Sequence, residues 1–491
     1  MKVHIKRLAG TSLTYGVGQM LNRFLTFLLL PVFTYFLTPA DYGISSILQV
    51  FVLLIMPVFS LGLTVAMGVC YFDEGGRERK EATIWTSVAL LSLSTIALAI
   101  LGTVFSARIS EFLFGHSRYQ YLVVLSVLTM CLIILSQPLT LFLQFENRAK
   151  VFVALTLAST LATVGFNVLM VVILRKGIQG LIEAGFIAQL IMLPLYFVPM
   201  ARSLKFRLSR RVGNELLRQS LPAIPSLGFL LVLQQANKYI LQDHEGLDAV
   251  GVYTIGFNFG MVMSLIVSGF TAAWHPFFLS FTNKQDEARP LFGRVMTYYV
   301  LGAGALSLLF FAVARPVVTI MTRPSFHESY LVVGLSACAQ FLIGVFSLLL
   351  AGMYFAKEVK YLSVVQAFAA GAAIALNFIL IPPFGILGAA IALAFGYLLM
   401  AVLQHLWNRR RNYLDIQYEW GRIARFALFY VIYAVVMLWD RSLPLIGELV
   451  ISAVAVLVVP LPLYLLLSEP EKRFLLTTIK RFTPRFFYQN A

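Results

Sequence analysis

The chain has 491 residues, of which 59% are hydrophobic and only 12% charged, and its mean hydropathy of +0.84 excludes an ordinary water-soluble globular protein. A net charge of +16 and a pI near 9.8 would suggest nucleic acid in a soluble chain; in a membrane chain the positions of the basic residues decide their role. Cys70, Cys131 and Cys338 sit in or beside apolar runs without paired or metal-like spacing, so they read as small core residues rather than a disulfide framework or metal site.

In chain order, the basic start Lys2, Lys6 and Arg7 followed by an apolar stretch to Leu37 superficially resembles a signal peptide. The stretch is too long and no small-residue cleavage site closes it, so it reads as a first permanent span. Further runs of about 20 apolar residues lie near 43–71, 83–107, 120–144, 151–174 and 180–201. After a basic loop they resume near 221–242, 249–274, 295–321, 329–355, 361–381, 385–406, 423–439 and 445–467. The expectation is an all-α polytopic membrane protein of about 14 transmembrane helices; at Pro382, Pro383 and Gly385 two spans nearly touch.

An even count places both termini on one side. Nearly all loop Lys and Arg fall on that side, among them Arg77, Arg79, Lys80, Arg210, Arg211 and Arg218. Only Arg108, Arg118, Arg175, Lys176, Arg323 and Arg441 fall opposite, with Arg23, Lys238 and Arg315 left inside spans. The positive-inside bias makes both termini cytoplasmic. The basic excess then serves orientation and contact with anionic membrane lipids, worth about 1 kcal/mol per residue near the surface, and no nucleic acid is needed.

The two halves repeat. Asp41-Tyr42-Gly43 overlays Ala249-Val250-Gly251, and Gly177 and Gly180 overlay Gly385 and Gly388, all at an offset of 208, with Asn167 and Asn377 ten and eight residues upstream. The competing reading is that such glycines are only packing signals. A parallel repeat predicts two six-helix lobes around a V-shaped central cavity, with two extra C-terminal helices. The expected organisation is an N-lobe at 1–201, a basic linker at 202–220, a C-lobe at 221–406, a basic loop with two helices at 407–467, and a basic amphipathic cytoplasmic tail at 468–491.

Three intramembrane cations stand out. Gln234, Lys238 and Gln242 are spaced i, i+4, i+8 on one helix face; Lys238 either faces a cavity or snorkels outward, five residues before Asp243. Gln19, Asn22, Arg23 and Thr26 form a polar stripe in the first span, with Arg23 about 25 Å by helix rise from its outer end, where a guanidinium suits phosphate or carboxylate or is held by backbone carbonyls. Arg315 lies nearer the outer interface and can snorkel. Pro222 and Pro225 open the span carrying Lys238, as a hinge or as helix-start prolines. No carboxylate falls at mid-membrane depth, and there is no phosphate-binding Gly loop, no His-Glu-x-x-His and no long outer loop, which argues against an ATPase, a hydrolase, a cofactor enzyme or a metal site.

The run from Leu30 to Gly43 (Leu-Pro-Val-Phe-Thr-Tyr-Phe-Leu-Thr-Pro-Ala-Asp-Tyr-Gly), Asn237-Lys238-Tyr239-Ile240-Leu241, Val250-Gly251-Val252-Tyr253, Ala273-Trp274-His275-Pro276, and Asn377 leading into Gly385-Ile386-Leu387-Gly388 together resemble the polysaccharide transporter family of Wzx-type flippases. That family belongs to the superfamily that also holds drug antiporters and lipid II flippases. The resemblance covers most of residues 8–406; where the family typically has Asp-Arg or Asp-Lys, this chain has Asn237-Lys238. It implies a non-enzymatic bacterial inner-membrane flippase for an undecaprenyl pyrophosphate-linked oligosaccharide, serving O-antigen, lipopolysaccharide, capsule or exopolysaccharide synthesis, with a polysaccharide polymerase and a chain-length regulator as partners. The alternatives are a cation-coupled small-molecule antiporter, which predicts a buried carboxylate, and a membrane-embedded glycan polymerase or ligase, which predicts a sizeable outer loop.

Overall fold

The computed structural model describes residues 29–74, 76–282, 284–439, 444–469, 471 and 472. These are helical almost throughout, with short 3₁₀ and π turns, and among the described residues there is no strand. That is the backbone lipid demands, since a helix satisfies its own N–H and C=O groups. Among the described residues, ten helices are long and apolar enough to cross a membrane, or eleven if the bent pair Gly228–Gly260 and Met263–Leu279 is one span.

Two of the longest segments are hairpins rather than rods. Leu362–Arg410 leaves helical geometry at Gly385, whose φ is 51°. A Cβ on Gly396 would lie 2.9 Å from the Cβ of Ala373, a contact that residues so far apart on a straight helix could never make. Ile224–Gly260 turns back at Gly246, φ 83°, and Asn237 reaches Tyr253 across the fold. Each segment therefore supplies two antiparallel helical arms, which matches the separation of 221–242 from 249–274 and of 361–381 from 385–406 read in the sequence. Gly177 and Gly385, matched in the repeat, both have positive φ, a conformation that favours glycine.

Elsewhere the expected spans are broken. The run 43–71 divides into Pro39–Phe59 and Leu63–Phe72, with Leu61 and Gly62 in left-handed geometry and the Ser220 carbonyl 2.9 Å from where a Cβ on Gly62 would sit. The expected 249–274 span is interrupted between Gly260 and Met263. The last span steps from Leu445–Val458 to Pro460–Leu466 at a proline, which cannot donate the next helical hydrogen bond. Pro222 lies in a 3₁₀ turn, Leu221–Ala223, and Pro225 in the first turn of the helix beyond, both at helix-start positions.

The chain divides into two units. The first comprises Met1–Phe259, Met321–Ser329 and Lys360–Met400. In it Gln120–Phe145 packs on both Gly76–Val104 and Gly177–Ser203. The linker helix Arg210–Ser220 buries Val212 and Leu216 against Leu63–Phe72 and Gly76–Val104. Its basic neighbourhood is partly neutralised: Arg79 pairs with Asp73 at 2.6 Å and Glu215 at 2.7 Å, and Arg207 pairs with Glu78. The second unit comprises Gly260–Ile320, Tyr330–Val359 and Ala401–Ala491, with Met263–Leu279 packed on Tyr330–Phe355. Of the expected tail at 468–491, residues beyond Lys472 lie outside the described residues.

Candidate functional site

The hairpin folded at Gly246 carries the residues of interest. Its first arm, 224–245, runs through Gln234, Gln235, Asn237 and Lys238; its second, 247–260, presents Tyr253 and Phe257 back to them. Lys238 is 3% exposed, and its ammonium lies 5.3 Å from the centre of the Phe257 ring. Tyr253 stacks on Phe257 with ring centres 6.1 Å apart. The Asn237 amide donates to the Tyr253 hydroxyl at 2.5 Å. Among the described residues no carboxylate pairs with Lys238, and the side-chain oxygens of Gln235 and Asn237 have no hydrogen-bond partner.

The electrostatics of this arrangement are unbalanced. Withdrawing an ammonium from water costs several kcal/mol, and an aromatic face returns about 2 kcal/mol when desolvated. A lysine held this way is under-satisfied. Lys238 is thus buried against an aromatic ring within its own hairpin.

Gln234, one helical turn before Lys238, is half-buried. Gln242, the third residue of the expected stripe, is occupied elsewhere, donating to the Leu113 carbonyl at 2.6 Å. Asn237, which stands where the resembled family has an acid, bonds Tyr253 rather than forming an ion pair with the lysine beside it. Gln19, Asn22 and Arg23 lie outside the described residues.

Arg315, in the second unit, is built into a different environment. Its guanidinium donates to Glu448 at 3.0 Å and to the Tyr330 hydroxyl at 2.5 Å, and stacks 4.2 Å from the Tyr330 ring centre. Both partners of the ion pair are largely buried. Sequence reasoning missed Glu448 because it stands 133 residues from Arg315 and sits in the first turn of an apolar helix, where no local spacing links the two. An acid in the first turn is itself a signal, since it complements the helix dipole.

The residues matched as a repeat meet within the first unit. A Cβ on Gly43 would fall 2.0 Å from the Leu247 carbonyl oxygen, and one on Gly251 would fall 1.9 Å from that of Pro39. The second contact is the first with the two repeats exchanged. Thr254 donates to Ser46 at 2.8 Å, and these residues are themselves 208 apart. Thr38-Pro39-Ala40-Asp41 acquires a local role too: Asp41 accepts from the Thr38 backbone at 2.9 Å while Thr38 accepts from the Asp41 backbone at 3.2 Å, a reciprocal cap that starts Pro39–Phe59.

Residues 8–282, which contain the hairpin, match the sequence model of a family described as polysaccharide biosynthesis protein. The chain belongs to that family. No curated protein is matched by sequence. Among solved structures it is similar to a lipid II flippase MurJ in an inward closed conformation, at a TM-score of 0.72 and 13% identity, over 92% of this chain and 98% of that one. It is also similar to an inward-facing multidrug resistance MATE transporter of the MOP superfamily, at a TM-score of 0.66 and 15% identity, over 79% and 94% of the two chains. A third is a MOP superfamily transporter from Pyrococcus furiosus, at 0.59 and 15%, over 83% and 95%. At these identities the likeness establishes the fold alone.

Proposed function

We propose that this protein is a flippase that carries an undecaprenyl pyrophosphate-linked oligosaccharide repeat unit from the cytoplasmic to the periplasmic leaflet of a bacterial inner membrane, with both termini cytoplasmic. The single observation that carries the reading is Lys238, buried without a carboxylate partner among the described residues and set in the segment that matches the polysaccharide biosynthesis family. A diphosphate is an anion that an under-satisfied ammonium in a low-dielectric wall can bind. Arg23, if it shares the path, gives a second cation at another depth, so that the headgroup is handed outward while the lipid tail stays in the bilayer. Gln19, Asn22 and Gln234 are the proposed polar contacts for sugar hydroxyls. Two parallel six-helix lobes around a V-shaped cavity, a two-helix appendage and about 14 helices are the architecture this mechanism uses, and the likeness to a lipid II flippase supports it. A polymerase and a chain-length regulator acting on the exported unit complete the pathway for O-antigen, capsule or exopolysaccharide.

The likeness to drug transporters keeps an antiporter as the second reading. Such a transporter needs a titratable acid free to exchange ions. The two buried carboxylates among the described residues, Glu81 and Glu448, are both engaged, by Arg77 at 3.1 Å and by Arg315 at 3.0 Å. The flippase reading is therefore preferred.

The test is cellular. Deleting the gene is expected to remove surface polysaccharide while lipid-linked repeat units are retained inside. Complementation with wild type restores the glycan, whereas Lys238→Ala and Arg23→Ala at matched membrane levels do not. A deletion that leaves surface glycan intact refutes the assignment and promotes the antiporter. An inside-negative potential is further expected to assist, at about 2.3 kcal/mol per charge per 100 mV for an anion moving outward. Flipping in proteoliposomes that ignores an imposed potential removes that coupling.

A further inference from the structure

Within the second unit, Met263–Leu279 and Gln285–Met321 meet through large rings: Phe270 lies 4.6 Å from Tyr299 between ring centres, and Trp274 lies 4.9 Å from Phe292. Rings of this size space the two helices, and Ala303 is too small to fill the gap they leave. A cleft of about 320 Å³ remains, with Ile266 and Phe270 on one wall and Val295, Ala303 and Leu306 on the other. Two tyrosines complete it, and both are tethered. The buried Tyr299 donates to the Phe341 carbonyl at 3.0 Å, and the exposed Tyr298 donates to Glu471 at 2.7 Å. These hydroxyls are the only side-chain polar groups of the lining and both are engaged, so the cleft offers a polar solute nothing to bind.

The cleft opens on the outer face of a membrane span. Arg294, Tyr298, Gly302 and Leu306, each four residues from the next, form one exposed stripe along Gln285–Met321. From Val295 to Leu306 the helix rises about 16.5 Å, about half the thickness of a hydrocarbon core, which is the reach of a chain rooted in one leaflet. At the Val295 end stands a cation. Among the described residues no carboxylate pairs with Arg294, whereas Arg422 is spent on Glu419 at 2.8 Å and Glu471 at 2.9 Å. We propose that this cleft binds an anionic phospholipid, with one acyl chain lying from Val295 to Leu306 and the phosphate at Arg294. A polyprenyl tail long enough to cross both leaflets overruns a cleft of this length, which is why a bilayer phospholipid is the occupant. The site lies apart from Lys238 and does not depend on the flippase reading; only its assignment to the cytoplasmic leaflet comes from the proposed topology.

The experiment titrates the purified full-length protein, stripped of lipid in neutral detergent, with phosphatidylglycerol or phosphatidylcholine, and counts bound lipid by native mass spectrometry. One phosphatidylglycerol is expected to bind ahead of all others, about fivefold more tightly than phosphatidylcholine. Arg294→Gln is expected to erase that preference by weakening phosphatidylglycerol about fivefold while leaving phosphatidylcholine unchanged. Gly302→Phe places a ring on the exposed stripe at a position where an added Cβ meets nothing within 4 Å, and is expected to weaken both lipids about tenfold. Arg210→Gln, which removes an exposed cation from the linker helix of the first unit, is expected to change neither. Should Gly302→Phe fail to assemble, Arg294→Gln decides alone, since its position is exposed and its predicted loss is confined to the charged lipid. Phosphatidylglycerol affinity unmoved in folded Arg294→Gln, or lowered as much by Arg210→Gln, overturns the site. Release of the bound lipid by inorganic phosphate would show that the headgroup alone is held and overturns the acyl-chain cleft. One-for-one replacement by a polyprenyl phosphate at equal concentration would give the cleft to the longer tail and overturns the phospholipid assignment.

Discussion

Lys238 in the first unit and Arg315 in the second are both cations withdrawn from water inside an apolar chain, and their surroundings differ in kind. Arg315 has a carboxylate at 3.0 Å, a hydroxyl at 2.5 Å and an aromatic face at 4.2 Å. Lys238 has an aromatic face at 5.3 Å and, among the described residues, no carboxylate. The difference follows from chemistry that residue type anticipates. Guanidinium is planar, weakly hydrated and forked, and suits a permanent buried pair, whereas ammonium is a compact point charge whose burial is costly unless a partner arrives. The contrast separates a cation paired between helices from the one we propose receives a ligand.

The sharpest way to break that contrast is to remove one half of the Arg315 pair. Glu448→Leu or Arg315→Met alone leaves a buried charge without its partner and is expected to lower stability by about 3–5 kcal/mol, read as a fall in Tm in detergent. The double variant is expected to recover most of the loss, and export per folded molecule to be nearly unchanged in it. A double variant as unstable as either single one, or stable but inactive, would put Arg315 on the transport path. Lys238→Met is expected to do the reverse. It removes an uncompensated charge, so Tm should hold or rise, while export falls about 10–100-fold, the value of roughly 1.5–3 kcal/mol for a hydrogen bond to a charged group. A Tm that drops with export intact would make Lys238 structural.

A smaller effect is expected at the neighbouring polar contact. Tyr253→Phe strips the acceptor from the Asn237 amide and leaves it buried, costing about 1–2 kcal/mol of stability. Export should fall much less than for Lys238→Met, because the ammonium and the Phe257 ring are untouched. Equal losses in the two variants would mean that Asn237 and Tyr253 handle substrate directly.

Much of this arrangement is legible in the sequence because membrane spans declare themselves locally. The hairpins at Gly246 and Gly385 fall where apolar runs pause, and Gly43 and Gly251 stand at matching places in the repeat because each faces the other repeat's backbone. The ten residues from Asn167 to Gly177, against eight from Asn377 to Gly385, also find a cause. Val168–Ile173 is a π-helix, which takes up extra residues within a span of unchanged length. The break at Leu61 and Gly62 was not legible, because hydropathy runs straight through it and only contact with Ser220 marks the place. Nor was the pairing of Arg315 with Glu448, which depends on how distant helices pack. Lys238 shows the middle case: its depth is in the sequence, its aromatic cover only in the fold.

A third ionic site, at the end of the second unit, supplies the water-facing limit of the comparison and the smallest expected effect. Glu471 accepts from the Tyr298 hydroxyl at 2.7 Å, from Arg422 at 2.9 Å and from the Ser468 backbone at 2.6 Å. Burial alone would raise its pKa, but these donors outweigh it and bring the carboxyl down from the ordinary value of 4.5 to about 2. A depressed folded-state pKa stabilises the protein above the unfolded value, and that contribution fades as pH falls from about 4.5 toward 2. Because the site borders water, the stabilisation is expected to be about 1 kcal/mol, well below the shift taken at face value. Glu471→Gln should therefore lower Tm slightly at pH 7, and the gap from wild type should shrink as pH drops through that window. A gap that stays constant with pH would mean that Glu471 acts through packing and not through its charge, leaving Arg315 and Glu448 as the one structural ion pair of the comparison.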